Sequence, residues 1–508
     1  MNGNDLKRID VRIGSGRDIH IQLPAEKGSS WKPVISMAAD EQTGRPGPEE
    51  KIVRSLNKNY FRIDEVVLGD ITKIEDHILT IRRDLMEEIR ETTENIVDFN
   101  INIVHPDEMH QFSQTIMDVQ PIATKHGEDM LGTGDTIVLD GVVLMLTGVT
   151  EEGVPVGEFG SSEGYLDENI ILGRPGCPDE GEILIKAEGV IPAGKNMERP
   201  GPLAIHEAAN KVAEEIRKVM KSFEPETADR TEHYEQVSGR KHRIVIVKEI
   251  MGQGAMHDHI ILPNEPVGIM GGVSNIDLGN LPVNMSPLEI LDGAVHSMTC
   301  VGPGSKEVSR HFFREPLIQL ALEEEDFEIL GVVVIGSSQI NTEKYYSSRR
   351  LGMMLEAIKP DGVIITTEGF GNNHIDFASH HEQAGLRGIP AVGCSFCANQ
   401  GALVVGSEYM TNMIELNKSD MGVENEIMAI NTLCHEDAVR ALTMMKSILE
   451  GKKVSGPERK WEKEVITSNQ EEIDKEGGFH TERVPDETSI PLSEKRIKKY
   501  GLKREEDR

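Results

Sequence analysis

The feature that most constrains the fold is a series of short apolar segments in the second half of the chain. Residues 244–247, "LGVVVIG", "DGVIITT" and "GIPAVG" are apolar at nearly every position, and helical segments such as "KYYSSRRLGMMLEAIK" alternate with them. Strands that are apolar on both faces belong to parallel sheets that helices cover on each side. The sequence therefore predicts a C-terminal α/β domain with a parallel sheet, which we place at residues 195–450.

The region ahead of this domain has the pattern of a strand-rich domain. Runs such as "DTIVLDGVVLMLTGV" and "GEILIKAEGVIP" are separated by glycine turns, which is typical of β-strands. We predict a β-rich α+β domain at residues 58–194. Further upstream, "IDVRIGSGRDIHIQLP" predicts a β-hairpin within residues 1–23, and the composition of residues 24–57 predicts a linker. Residues 451–508 are expected to form a charged C-terminal tail.

Charge and composition exclude several classes of function. A net charge of −32 over 508 residues disfavours nucleic acid and acidic membrane surfaces as the main partner. No apolar run reaches the length of a signal peptide or a membrane span. The chain has 5 cysteines, an odd number, without disulfide-like spacing, which fits a reducing compartment. We expect a cytoplasmic protein with no nucleic-acid and no membrane partner.

Glycine-rich loops follow two of the apolar segments, where ligands bind in an open parallel sheet. In "MGQGAMHDH", Gly252 and Gly254 lack the third glycine of the dinucleotide fingerprint. His257 and His259 stand without a cysteine or carboxylate cluster at zinc-like spacing, so the local pattern predicts no metal site. In "EGFGNNH", Glu368 is a candidate acid or base and Asn372 a candidate polar contact, although a simple glycine turn explains the same residues.

Two cysteines form a CxxC pair, Cys394 and Cys397, at the end of an apolar segment. This spacing is compatible with a redox or metal role. No second pair lies nearby, and "GIPAVGC" is typical of a sheet core. We therefore predict two small buried thiols.

The bond between Thr299 and Cys300 has a different setting, because it lies in the polar loop "HSMTCVGPG". A thiol in a strained loop can attack the preceding carbonyl and move the acyl group from nitrogen to sulfur. β-Elimination then leaves dehydroalanine, which tautomerises and hydrolyses to a pyruvoyl group. From these residues alone, an unreactive buried thiol is the favoured interpretation.

Several long strings resemble a known family in the same order. "EIMGQGAMHDHIILPNEPVG", "PLEILDGAVHSMTCVGPGSKEVSRHFFREPL", "TTEGFGNNHIDFASHHEQAGLRGIP" and "QGALVVGSEYMT" resemble the pyruvoyl-forming proproteins of D-proline reductase. So do "MDVQPIATKHGE", "GEFGSSEGYLD" and "NMERPGPLA". More distantly, "DGAVHSMTC" and "EGFGN" are similar to component B proproteins of glycine, sarcosine and betaine reductases. The resemblance covers most of the chain from about residue 60 to Trp461.

The resemblance implies a self-cleaving reductase subunit. Cys300 would become the covalent pyruvoyl group, and cleavage after Thr299 would give two chains that remain in a hetero-oligomer. The pyruvoyl ketone would bind the amine of D-proline as an iminium, so that a selenolate on a separate selenocysteine-containing subunit can open the ring. The product would be 5-aminovalerate, and a thiol or redox protein would supply electrons.

Supporting residues and alternatives are less constrained. His257 and His296 are candidate proton shuttles, Glu368 is a candidate general acid, and Asn372 is a candidate for holding the substrate carboxylate or the imine. Arg310 and Arg314 are candidates for binding a carboxylate, but a solvated helix face is the simpler interpretation. The alternative functions are a subunit acting on glycine, sarcosine, betaine or another cyclic amino acid, and an unprocessed non-catalytic paralogue. The N-terminus, shorter than in the family members compared, leaves a specialised paralogue open.

Overall fold

Two units, Met1–Gly47 and Pro48–Arg508, make up the chain. The computed structural model describes residues 7–13, 17–23, 50–156, 163–196, 200–250, 261–263, 265–268, 276–277, 279–297, 307–367, 371–397, 403, 405–418, 427–429, 431–452, 471, 474–475 and 478. In the first unit, strands β1 (Lys7–Ile13) and β2 (Arg17–Leu23) pair antiparallel, with Ile13 opposite Arg17. This unit is therefore a β-hairpin in its described residues.

The second unit begins with a strand-rich region. Its strands are β3 (Lys51–Arg62), β4 (Glu65–Gly69), β5 (Lys73–Glu75), β6 (Ile78–Arg82), β7 (Asp98–Val104), β8 (Phe112–Ser113), β9 (Ile116–Gln120), β10 (Ala123–Lys125), β11 (Gly134–Asp140), β12 (Val142–Thr150), β13 (Gly164–Tyr165), β14 (Ile183–Ile191) and β15 (Arg230–Ser238). Its helices are α1 (Leu85–Thr92), α2 (Leu166–Asn169) and α3 (Pro200–Met220).

Two four-stranded sheets organise this region, in the orders β10-β11-β3-β15 and β7-β14-β12-β9. Helix α3 packs on β12 and β14 because its apolar residues recur at helical spacing and form one buried face. The approach is close: a side chain at Gly189 would have its Cβ 2.8 Å from Ile205. Burial of this face fixes the next residue of α3, His206, in the protein interior.

Strand β3 begins at Lys51, inside the segment that composition marked as a linker. Its partner β15 pairs with it antiparallel from Arg230 opposite Tyr60 to Ser238 opposite Lys51. A pairing across so many residues leaves no trace in local composition. The remaining predicted domain boundaries stay predictions.

The C-terminal region is an α/β arrangement. Its strands are β16 (His242–Ile250), β17 (Ile261–Leu262), β18 (Ile276–Asp277), β19 (Val283–Met285), β20 (Phe327–Gly336), β21 (Gly362–Thr367), β22 (Ala391–Ser395) and β23 (Met413–Glu415). Its helices are α4 (Pro287–Leu291), α5 (Ser309–Phe313), α6 (Pro316–Glu323), α7 (Asn341–Ile358), α8 (His374–Gly385) and α9 (His435–Leu449).

The main sheet of this region has the order β19-β20-β16-β21-β22-β23. The strands from β20 to β23 in this order are all parallel, and β19 adds an antiparallel edge. Alternate residues of β16 enter different cores: Ile244 and Ile246 pack with α4, α5, α6 and α9, whereas Val245 and Val247 pack with α7 and α8. This confirms the predicted fold class, a parallel-sheet α/β region preceded by a strand-rich region.

The chain order of the parallel strands reverses at β16, which lies between β20 and β21. In open α/β sheets such a reversal opens a crevice at the carboxyl ends of the strands, and ligands bind there. Within the described residues, no helix combines the length and apolar character required to cross a bilayer.

Candidate functional site

The described residues on either side of Thr299 and Cys300 lie next to each other. Residues 298–306, including both of these residues, lie outside the described residues. Ser297 precedes the loop, and its backbone N–H donates to Oγ of Ser309, which opens α5, at 2.8 Å. Both serines are buried. The two flanks of the loop are therefore in direct contact.

Asp118 on β9 stabilises this contact through hydrogen bonds to Ser309. Its Oδ1 accepts from the backbone N–H of Ser309 at 2.8 Å, and its Oδ2 accepts from the Ser309 hydroxyl at 2.5 Å. Gln120, on the same face of the strand, donates its amide to Oδ2 at 3.0 Å. Burial raises the pKa of Asp118 to about 7, although hydrogen bonds from Ser309 and Gln120 favour the charged form.

His296 was predicted as a candidate site residue, and the structure places it beside Asp118. Its Nε2 lies 3.0 Å from the Gln120 amide, 3.2 Å from Nδ1 of His206 and 3.7 Å from Oδ2 of Asp118. Burial lowers the pKa of His206 to about 4 and lowers that of His296 well below its usual value. Both imidazoles are therefore neutral at neutral pH, with a lone pair available.

Three members of this cluster were missed by the sequence analysis: Asp118, Gln120 and His206. Asp118 and Gln120 lie within the string "MDVQPIATKHGE", and His206 lies two residues after "NMERPGPLA". Polar residues in strings shared with a family were an available signal. Their meeting with His296 depends on tertiary packing, because the members come from β9, from α3 and from the segment after α4.

The other flank of the loop is held by an ion-pair network. Lys248, near the carboxyl end of β16, lies 2.9 Å from a carboxylate oxygen of Glu307 and 2.8 Å from one of Glu315. Burial alone would lower the pKa of Lys248, but the two carboxylates raise it above its usual value. Burial alone would raise the pKa of Glu307, but nearby His311 and Lys248 lower it to about 2. Lys248 and Glu307 are therefore both ionised, and their ion pair fixes the chain at residue 307.

Arg310 and Arg314 bind carboxylates, but those of the protein itself. Arg310 is buried and forms paired hydrogen bonds with Glu182 at 2.6 and 2.7 Å. Arg314 donates to Asp179 at 2.6 Å and to the backbone carbonyl of Cys177 at 2.9 Å. The prediction of a solvated helix face is wrong, because α5 is buried on all sides and its arginines tie it to the segment before β14.

The remaining predicted site residues are only partly described. His257 and Glu368 lie outside the described residues, as do Thr299 and Cys300. Asn372 is half-buried just before α8, and its carbonyl accepts from the N–H of Ile375 at 3.3 Å. No hydrogen bond among the described residues joins Asn372 to the His296 cluster. The roles of these five residues stay predictions.

The carboxyl ends of β16 and β21 carry a second polar group on the opposite face of the sheet. Thr367 donates to Glu249 at 3.0 Å and accepts from Asn373 at 2.6 Å. His380 on α8 lies 3.4 Å from Glu249 and 3.0 Å from the Ser348 hydroxyl. Burial lowers the pKa of His380 to about 3, so this histidine is neutral. The group is enclosed between strands and helices and holds α7 and α8 on the sheet.

Of the CxxC cysteines, Cys394 is buried and Cys397 is half-buried. Cys394 lies on β22 and is fully buried. The pKa of Cys394 and that of Cys397 are both raised, chiefly by burial. Neither thiol forms a disulfide in the described part of the chain. A raised thiol pKa disfavours thiolate chemistry, which agrees with the interpretation as packed residues.

Two sets of described side chains bring metal-ligating atoms together. Asp118, His206 and His296 form a buried set, and His110, Asp167 and Glu168 form an exposed set. Exposed acidic sets are common on protein surfaces without a ligand. The buried set is different because it lies at the flank of the loop that carries Cys300.

Comparison with known proteins identifies relatives. The chain is 49% identical over 506 residues to the D-proline reductase proprotein PrdA of Acetoanaerobium sticklandii, covering 97% of this chain and 80% of the relative. It is 24% identical over 355 residues to the glycine reductase complex component B subunits alpha and beta of the same organism, covering 66% of this chain and 77% of the relative. It is 25% identical over 363 residues to the betaine reductase complex component B subunit alpha of Peptoclostridium acidaminophilum, with coverage of 66% and 77%.

No solved structure gives a significant match to the chain. The family model of glycine/sarcosine/betaine reductase component B subunits matches residues 54–154 and 191–402. These two stretches include β9, α3, both flanks of the Cys300 loop and the parallel sheet through β22. Because the model matches more than half of the chain, the protein belongs to the glycine/sarcosine/betaine reductase component B family.

Proposed function

We propose that this chain is the self-processing proprotein of a D-proline reductase, cleaved between Thr299 and Cys300. The observation that carries the proposal is the 49% identity, over 97% of this chain, with a D-proline reductase proprotein. The glycine and betaine reductase relatives are only 24% and 25% identical. D-proline is therefore the proposed substrate, and reductive opening of its ring to 5-aminovalerate is the proposed reaction.

Cleavage would proceed by acyl transfer within the loop. The Cys300 thiol attacks the carbonyl of Thr299, and the peptide C–N bond breaks as a thioester forms. β-Elimination breaks the Cβ–S bond, so that the N-terminal chain leaves as a thiocarboxylate and dehydroalanine remains on the C-terminal chain. The dehydroalanine tautomerises to an imine. Water hydrolyses this imine, ammonia is released, and a pyruvoyl group forms at position 300.

The flanking contacts fit a loop that has to be cut and still stay in place. The Ser297–Ser309 hydrogen bond and the Asp118 contacts join the two sides through bonds other than the cleaved one. The Lys248–Glu307 ion pair anchors the new N-terminal side independently. Both new chain ends would therefore remain within a few residues of their anchors.

The pyruvoyl group, once formed, supplies a ketone that activates the substrate amine as a leaving group. The chain's own residues bind and position. Because Nε2 of His296 faces Asp118, Gln120 and His206, we assign His296 to anchoring the loop. Proton transfer is assigned to His257 and Glu368, and contact with the substrate carboxylate to Asn372. A selenocysteine-containing subunit would supply the nucleophile, and a dithiol or redox protein the electrons.

Intact mass spectrometry of the purified full chain tests the processing. We expect two chains that divide between Thr299 and Cys300, and a mass shift of the smaller chain after borohydride or hydrazine trapping. Cys300→Ala should remain one chain and be inactive, whereas the matched control Cys397→Ala should be cleaved. An active, uncleaved Cys300→Ala protein would overturn the proposal. A single uncleaved wild-type chain, even with the selenoprotein subunit present, would support the non-catalytic paralogue.

Substrate profiling tests the second half of the proposal. The processed protein, its selenoprotein subunit and a dithiol would be assayed with D-proline, glycine, sarcosine and betaine. Formation of 5-aminovalerate from D-proline alone is the expected result. Turnover of another amine with D-proline inert would keep the processing and reassign the substrate.

A further inference from the structure

The most deeply buried carboxylates of the described residues are mostly paired with lysine. Five carboxylates in the described part of the chain have 0% exposure, and four of them pair with a lysine within 2.8 Å. These four pairs are Asp292 with Lys125, Glu315 with Lys248, Asp376 with Lys344 and Asp437 with Lys418. The fifth carboxylate is Asp118, which has no lysine or arginine ion pair within the described structure.

Asp118 is therefore the exception among these five carboxylates. Its one ion-pair contact in the described residues is with His296, at 3.7 Å, and an imidazole carries charge only when it is protonated. Hydrogen bonds from Ser309 and Gln120 orient the carboxylate but bring no net charge. A buried carboxylate without a counter-charge is costly, and proteins resolve this by pairing, by protonation or by a bound metal ion.

The spacing of the surrounding atoms suits one central cation. A Zn²⁺ ion bonded at about 2.0–2.2 Å to tetrahedral ligands holds neighbouring ligand atoms about 3.4 Å apart. Here Nε2 of His296 lies 3.2 Å from Nδ1 of His206 and 3.7 Å from Oδ2 of Asp118. The Gln120 amide lies 3.0 Å from both His296 and Asp118. These four of the six spacings among the ligand atoms lie between 3.0 and 3.7 Å, and the ligand atoms of Asp118, His206 and His296 all lie within 4.8 Å of one another.

A network of hydrogen bonds alone accounts less well for these contacts. Neutral imidazole nitrogen has one lone pair or one proton, yet Nε2 of His296 has both the Gln120 amide and His206 within 3.2 Å. A half-turn of the Gln120 amide exchanges its nitrogen and oxygen, so that the oxygen faces His296 and Asp118. The two orientations have the same shape. The inner atoms are then two imidazole nitrogens, a carboxylate oxygen and an amide oxygen, which are all electron-pair donors.

We propose that Asp118, His206 and His296 bind a divalent transition-metal ion, with Gln120 as a fourth ligand. Two imidazoles among the ligands favour Zn²⁺ over Ca²⁺ or Mg²⁺, which prefer oxygen ligands. All four ligands precede Thr299, so the site would belong to the N-terminal chain and would not depend on cleavage. By fixing residue 296, the ion would hold the segment that leads to the processing site.

Metal analysis of the full chain tests this proposal independently of processing and activity. The chain, purified without chelator, is expected to hold about one Zn²⁺ per molecule by elemental mass spectrometry. After stripping, titration with Co²⁺ should give the visible absorption of a tetrahedral site, and Zn²⁺ should displace it. X-ray absorption at the zinc edge should show two imidazole nitrogens.

His206→Gln and Asp118→Asn are expected to weaken Zn²⁺ binding by at least about tenfold. His381→Gln is the matched control, because His381 is a buried histidine that bonds the Phe377 carbonyl away from the cluster. This control should bind the metal as the wild type does. If a variant fails to fold, the Co²⁺ and X-ray data on wild type decide alone. A wild-type chain that binds neither ion, or His206→Gln and Asp118→Asn variants with unchanged affinity, would overturn the proposal and leave Asp118 protonated in a hydrogen-bonded cluster.

Discussion

The two flanks of the Cys300 loop both bury a carboxylate, but they stabilise it in different ways. On the far flank, which follows Cys300 in the chain, Glu307 is buried beside Lys248, and this lysine supplies the positive charge. On the near side, His296 is buried with Asp118 and His206, and no lysine or arginine pairs with that carboxylate in the described residues. The comparison teaches that burial of charge at one flank is complete within the chain, whereas at the other it depends on a proton or an added cation.

The largest expected effect comes from removing the cation of the far flank. Lys248→Met leaves Glu307 and Glu315 buried without their partner, and the loss of one member of a buried pair costs about 3–5 kcal/mol in the free energy of unfolding. Urea denaturation followed by far-UV circular dichroism would measure it. Lys446→Met is the control, because Lys446 pairs with Asp326 at a half-exposed site, where the cost is about 1 kcal/mol or less. Equal losses in the two variants would contradict the assignment of a buried network.

The next effect is the pH dependence of the same flank. The pKa of Glu307 falls from 4.5 to about 2 on folding. Below about pH 4.5 the unfolded state therefore takes up a proton that the folded state does not, and stability falls with pH until about pH 2. The shift corresponds to a loss of about 3 kcal/mol. Urea titrations from pH 3 to 8 should show the wild type approaching Glu307→Gln only at the acid end. A constant difference at all these pH values would rule out this ionisation.

The third effect is confined to the near flank and depends on the proposed metal ion. Free Zn²⁺ at about 100 times its dissociation constant should stabilise the wild type by about 2.7 kcal/mol. Asp118→Asn should gain far less, since it lacks one ligand. Chemical denaturation with and without Zn²⁺ gives both values. Equal stabilisation of the two proteins would mean that the ion binds elsewhere.

The smallest effect concerns the link between the flanks. Ser309→Ala removes the hydroxyl that donates to Asp118 and accepts from Ser297, at a cost of about 1–2 kcal/mol. Because the two flanks then separate more easily, we also expect slower cleavage, measured by mass spectrometry over time. Ser222→Ala is the control, since its hydroxyl bonds the Val219 carbonyl at an exposed position. Cleavage at the wild-type rate in Ser309→Ala would remove the link from the processing mechanism.

The fold was largely predictable because short-range patterns of apolar residues indicate its strands and helices. The apolar runs of β16, β20, β21 and β22 need burial on both faces, and that requirement alone predicts the parallel sheet. Lys248 within the apolar run "RIVIVKEI" was a visible sign of a buried ion pair. It remained unexplained at the sequence level because its partners lie 59 and 67 residues away.

The site was predictable only in part, for the same physical reason. His296 stands four residues before Cys300 and could be selected from local sequence. Asp118 and His206 are separated from it by 90 residues or more in the chain, and the search for a zinc-like spacing was a search for local clusters. Arg310 and Arg314 were misjudged as surface residues, because the acidic partners that bury them precede β14.

The strand order has a consequence for how such a protein can be made. A cut after Thr299 would leave β16 and β19 on one polypeptide and β20, β21, β22 and β23 on the other, yet β16 lies between β20 and β21. Strands of the two products would alternate in one sheet, and separating the products would break a hydrogen-bonded ladder on each side of β16. Neither half could complete the sheet alone. The chain would therefore have to fold as one piece before it is divided, and a gene split at this point would yield two fragments that must find each other while still unfolded.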